Sequence, residues 1–267
     1  MTGPGRLLRS AATVAIVAVV IGGAIAWNAR SHGPVALPDI DTLTCPAHSI
    51  TVGAPSGLPA LARLAATEST PLSGSTADAG HNHAGNEPPL VVADRDRTAF
   101  DAQVRAAARA ACSLRTVAEA QRAGYVRSSF YTQGVGIHWT NWRLVDAPFD
   151  PARPSMLLYG TSGGTLHLVG FSYWVRSVRP PSGFVGAGDR WHRHFGLCFE
   201  PQGQLETEGL RDPGRCPHVW LNGSDLWMLH AWVVPGESNA WGLFAPLNPA
   251  LCQRNVNDAI RCSQVGG

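Results

Sequence analysis

Residues 155–175 read SMLLYGTSGGTLHLVGFSYWV, two apolar runs of strand character hinged on Thr161-Ser162-Gly163-Gly164-Thr165. Paired glycines accept the positive φ angles that a two-residue hairpin turn demands, so the flanking runs are predicted to pair as antiparallel neighbours. The same texture continues on both sides. Residues 134–145, 190–199, 220–234 and 241–244 are short, apolar and aromatic, and are punctuated by Gly, Pro or Asn. They read as strands of an antiparallel sheet or small barrel.

Upstream the period changes. Between Asp94 and Ala123, the residues Phe100, Val104, Ala107, Ala111, Leu114 and Val117 recur three or four apart, and Gly124 follows as a stop. This predicts one N-terminal helix whose mostly alanine stripe lets it approach a sheet closely. The fold class is therefore α+β. The folded domain is assigned to 94–267, about 175 residues, enough for a single core. Residues 31–93 are rich in Pro, Gly, Ser, Thr and Ala and read as a flexible linker, with one apolar patch from Leu58 to Leu64 able to form a helical turn or two.

Residues 1–30 have the character of a targeting segment. Arg6 and Arg9 precede an uncharged run from Ala11 to Ala26, which reads as a membrane anchor or a signal peptide. Either reading places the rest of the chain outside the cytoplasm, at the cell membrane if the segment is retained or secreted if it is cleaved. Cysteine usage agrees, because all six cysteines lie beyond the apolar run. An even number in an exported chain suits disulfides, and short closures favour Cys198 with Cys216 and Cys252 with Cys262, leaving Cys45 for Cys112. A formal charge of +2 is too small for a nucleic-acid footprint, so nucleic acid is not an expected partner. All 21 basic residues are arginine, which excludes a lysine Schiff base or a phosphate-loop lysine.

Five histidines stand in the predicted strands; His167, in Leu166-His167-Leu168, reads as structural or exposed, and the other four are candidate ligands. His192 and His194, in Trp191-His192-Arg193-His194-Phe195, fall on one face of an extended segment. His230 lies in Leu229-His230-Ala231-Trp232, and His138 lies in Gly136-Ile137-His138-Trp139. Converging imidazoles can share an ion, and Glu200 is near enough in sequence to add a carboxylate; such a shell suits copper or zinc outside a cell, with iron or manganese also accommodated. Glu200 and Asp189 are the nearest acidic groups for a base, should the site be catalytic. The competing reading is that each ring donates to a backbone carbonyl and simply fills space. No Ser, His and Asp fall into a recognisable hydrolase order.

Several of these motifs together resemble a group of exported actinobacterial proteins with no established activity. The likeness runs over residues 95–252 and is carried by Gly136-Ile137-His138-Trp139, Phe149-Asp150-Pro151-Ala152-Arg153-Pro154, Leu157-Leu158-Tyr159, Leu168 to Tyr173, Trp191 to His194, Leu229 to Trp232, and Asn248-Pro249 near Cys252. The resemblance implies a coherent domain and a shared histidine set, with Ser172 standing where the group shows glutamate. A smaller, partial likeness to cupins covers about fifteen residues. Gly186 precedes His192 by the cupin interval, but five residues separate His194 from Glu200.

Taken together, the sequence leads to an exported, membrane-tethered domain that holds a metal ion through His138, His192, His194 and His230, either to handle the metal or to use it in catalysis. The alternative is an accessory subunit of a membrane-associated assembly, with structural histidines and a membrane-protein partner.

Overall fold

A computed structural model describes residues 37–45, 58–66, 90–186 and 188–252. Three α-helices and nine strands organise them: α1 (Leu58–Ala66), α2 (Arg97–Ala111), α3 (Val117–Arg122), β1 (Val126–Arg127), β2 (Ile137–Thr140), β3 (Met156–Ser162), β4 (Thr165–Arg176), β5 (His192–Arg193), β6 (Leu197–Phe199), β7 (Leu205–Thr207), β8 (Val219–Leu221) and β9 (Leu226–Ala231). The class is α+β. Six strands form an antiparallel sheet in the order β1-β2-β3-β4-β9-β5, and β7-β6-β8 form a second, smaller one.

The β3–β4 hairpin is the spine of the larger sheet. Ser162 pairs with Thr165 across the predicted turn, where Gly163 and Gly164 have φ of 56° and 79°. Both angles lie in the left-handed region, and their succession matches the twist of the flanking strands. Side-chain alternation then divides the core between the two faces of the sheet. Ile137, Trp139, Leu157, Tyr159, Phe171, Tyr173, Leu229 and Ala231 go to one face, where Phe100, Val104, Ala107 and Ala111 of α2 cover them. Met156, Trp174, Leu226 and Met228 go to the other, packed with Leu197, Phe199 and Leu221 of the small sheet.

The long predicted helix is in fact two. Cys112 ends α2, and Thr116 starts α3 with a capping box in which Thr116 and Glu119 satisfy each other's backbone N–H groups. Helical spacing through Leu114 and Val117 concealed this break because both residues remain apolar and packed. The gap is also useful, since the Leu114 carbonyl accepts the buried Tyr159 hydroxyl at 2.6 Å. Tyr125 and Tyr173 likewise donate to the carbonyls of Pro154 and Pro151. Burial pushes all three phenols above the usual tyrosine range.

Residues 190–199, predicted as one strand, are split between the two sheets. Gly196 turns the chain at φ 60°, with Leu210 backbone atoms packed where a β-carbon would sit. A single extended run cannot serve two sheets without such a bend. Residues 220–234 also divide, and 241–244 form no strand. Within the interval assigned to the linker, α1 buries Ala60, Leu61 and Leu64 against the small-sheet core. The Leu64 carbonyl accepts from Arg176, whose guanidinium also pairs with Asp225 at 2.6 Å.

Cys45 is bridged to Cys112 and Cys198 to Cys216, as the sequence predicted. The third predicted pair involves residue 262, outside the described residues. Two disulfides are consistent with an oxidising, extracytoplasmic setting. Among the described residues no helix is long and apolar enough to cross a membrane, and the predicted anchor at 1–30 lies outside them.

Candidate functional site

Antiparallel register brings the strand histidines together. Thr140 pairs with Met156, Met156 with Ser172 and Ser172 with His230, forming one row across four strands. His192 pairs with Met228, two residues from His230 on the same face. The resulting ring separations are 5.0 Å for His192–His194, 5.1 Å for His192–His230 and 6.0 Å for His138–His230. His138, His192, His194 and His230 thus form one cluster, drawn from β2, β5, the segment just after β5, and β9.

Each ring is oriented through Nδ1. His230 donates to the Pro246 carbonyl at 2.7 Å, His192 to the Arg190 carbonyl at 3.1 Å and His194 to Glu208 Oε1 at 2.7 Å. His138 Nδ1 lies 3.2 Å from Ser129 Oγ, whose own proton goes to the Phe130 carbonyl. With a carbonyl or carboxylate oxygen facing it, Nδ1 of His192, His194 and His230 carries a proton. The Ser129 hydroxyl also accepts the His138 backbone N–H at 2.9 Å, so it is a structural strut and not an activated nucleophile.

The expected metal-binding function is corrected by this arrangement. Among the described residues no group of three or more His, Cys, Asp or Glu side chains is disposed to hold a metal ion. The rings meet at angles of 47° to 83°, as packed aromatic neighbours do, with their Nδ1 atoms tied to surrounding oxygens. Glu200 is placed elsewhere, in the tight turn between β6 and β7, where its backbone bonds Gln204 and Gly203 and its carboxylate takes the Gln202 amide. The carboxylate that does join the cluster is Glu208, which sequence spacing gave no reason to single out from the polar stretch around it.

Beside the histidines lies a pocket of about 240 Å³ between the two sheets. Its apolar wall comes from the sheets' facing sides: Met156, Trp174 and Met228 on one, Leu197, Phe199 and Leu205 on the other. Its polar wall is His138, His194, His230 and Glu208, with Ser128, Ser129, Thr132 and Gln133 from the β1–β2 connection. His192 supports this wall by ring contact with both His194 and His230. Ser172, where the resemblance would place glutamate, is fully buried beside His230, and its hydroxyl has no hydrogen-bond partner among the described residues.

Asp189 belongs to a different region. It sits in the 180–191 loop, where the Phe184 backbone N–H and the Trp191 indole favour its ionised form. Burial outweighs them and pushes its carboxyl up to about 7.

Comparison with protein-family models, with curated proteins and with solved structures gives no match to this chain.

Proposed function

We propose that this domain binds a small amphipathic molecule in the pocket between its two sheets, in an extracytoplasmic setting. The observation that carries this reading is the composition of the pocket wall. Apolar side chains from both sheets form most of it, while imidazoles and one carboxylate are gathered on one side, the distribution by which binding sites combine affinity with orientation. A core designed only for packing would fill the space between Met156, Met228 and Phe199, since interiors ordinarily close to crystal-like density. The two disulfides support a fold that works in an oxidising compartment.

The test uses 2-methylnaphthalene as an uncharged probe and tryptophan fluorescence as the readout, because Trp174 is part of the wall. Saturable change in emission is expected, with loss of the response in Met228→Trp, which fills the pocket from β9. An absence of saturable binding, or equal binding by the filled variant, would overturn the reading.

A further inference from the structure

A second cavity, of about 450 Å³, is formed by the 180–191 loop and shares no lining residue with the pocket between the sheets. Pro180, Pro181, Phe184 and Trp191 give it apolar and aromatic walls, and Asp189 is the ionisable side chain of its lining. The aromatic side is held from behind: Trp191 packs edge-on against Phe149 at 6.0 Å, and Phe149 against Phe184 at 5.2 Å. Gly183 leaves the space in which the carboxyl sits, because a β-carbon there would fall 2.0 Å from Asp189 Oδ2. The Phe184 backbone N–H donates to this carboxyl and the Trp191 indole stands beside it, yet an ionised carboxylate has about four acceptor positions, so capacity remains. Among the described residues no cationic side chain pairs with Asp189. Its burial is therefore uncompensated, which is why its carboxyl is pushed up to about 7.

We infer that this cavity is a separate binding site for a small organic cation, a primary ammonium or guanidinium on an apolar body, with Asp189 as its counter-ion and Trp191 as the aromatic face beside it. A partly buried carboxylate lacking a cation is the group that such a ligand stabilises most, since the ion pair replaces the water that burial removed and the head's N–H groups fill the open acceptor positions. An alcohol would offer a single neutral hydrogen bond, about half as strong as a charge-assisted one. A second anion would meet repulsion, strengthened by the partial exclusion of water. The Ser182 hydroxyl in the same lining both donates and accepts, so it favours neither sign. The volume suits the class as well, because small-molecule sites ordinarily span about 300–1,000 Å³.

Isothermal titration of the full chain at pH 8, where Asp189 is ionised, with benzylammonium, benzyl alcohol and benzoate tests the assignment. Benzylammonium is expected to bind saturably and at least about tenfold more tightly than either congener. Its binding should persist in Met228→Trp, which fills the pocket between the sheets, and weaken at least about tenfold in Asp189→Asn. Gly183→Ala keeps the charge but displaces the carboxyl, and should weaken binding too. In the wild-type chain, affinity for benzylammonium should fall about tenfold or more from pH 8 to about pH 5.5, as Asp189 takes up its proton while the ligand stays cationic. Tyr173, whose ionisation Asp189 opposes, remains a phenol throughout that range. The pH profile needs no variant, so it decides the matter even if the substitutions impair folding. No saturable binding of benzylammonium, equal binding of the alcohol or benzoate, loss in Met228→Trp, or full retention in Asp189→Asn would overturn the assignment. None of these outcomes touches the response to 2-methylnaphthalene, on which the other pocket is judged.

Discussion

His194 and Glu208, fourteen residues apart, are joined by a 2.7 Å hydrogen bond that links the end of the β5 segment to the end of β7. The pair spans the two sheets. Removing the carboxylate in Glu208→Ala takes the acceptor from the N–H of a buried imidazole, and a loss of about 1–3 kcal/mol in unfolding free energy is expected. Glu208→Gln keeps an acceptor and should lose less. Urea unfolding of the three proteins checks the order.

Gly223 holds His194 from behind. A β-carbon there would fall 1.9 Å from the His194 carbonyl oxygen, and the glycine has φ 79°. Gly223→Ala is therefore expected to cost more than the roughly 1–2 kcal/mol of left-handed strain alone and to weaken 2-methylnaphthalene binding. Gly163→Ala makes the control, because its φ is 56° and no atom stands within 4 Å of the added carbon. It should cost only the backbone strain and leave binding unchanged.

Leu61 of α1 is fully buried against the core of the small sheet. Truncation to alanine should cost about 2–5 kcal/mol, the range for removing a core leucine. A loss below about 0.5 kcal/mol, read by chemical denaturation, would mean that α1 is not integral to the domain.

Asp189 sets a pH dependence with a definite sign. Its carboxyl titrates near 7 in the folded chain against an ordinary value of 3.8, so between those limits the native state holds the proton more tightly than the unfolded state does. Its contribution is fully present below about 3.8 and is lost as pH rises through about 7. Asp189→Asn should remove a declining slope of at most about 1.4 kcal/mol per pH unit from the stability profile between pH 4 and 7. An unchanged slope would show that the loop already accommodates the anion.

The histidine cluster shows how far spacing alone reaches. Alternation along an extended chain correctly put His192 and His194 on one side, and the strand character around His138 and His230 made them plausible neighbours. What the rings do together depended on Nδ1 partners such as the Pro246 carbonyl and Glu208, which come from distant or irregular segments. No periodicity encodes those partners. The split of 190–199 between two sheets was also hidden, since an apolar run with a glycine reads alike whether it continues or bends.

By itself the sequence determined what is local: the Gly163-Gly164 hairpin, the alternation of the long strands, the α2 stripe and two of the disulfide pairings, because turn chemistry, side-chain period and loop closure act over short stretches or few choices. The tertiary structure alone decided the strand order, the role of α1, the recruitment of Glu208 in place of Glu200, and the pocket between the sheets. Each of these is a relation between surfaces distant along the chain, and such relations are settled by which packing excludes most water while giving the great majority of buried polar groups an acceptor or donor.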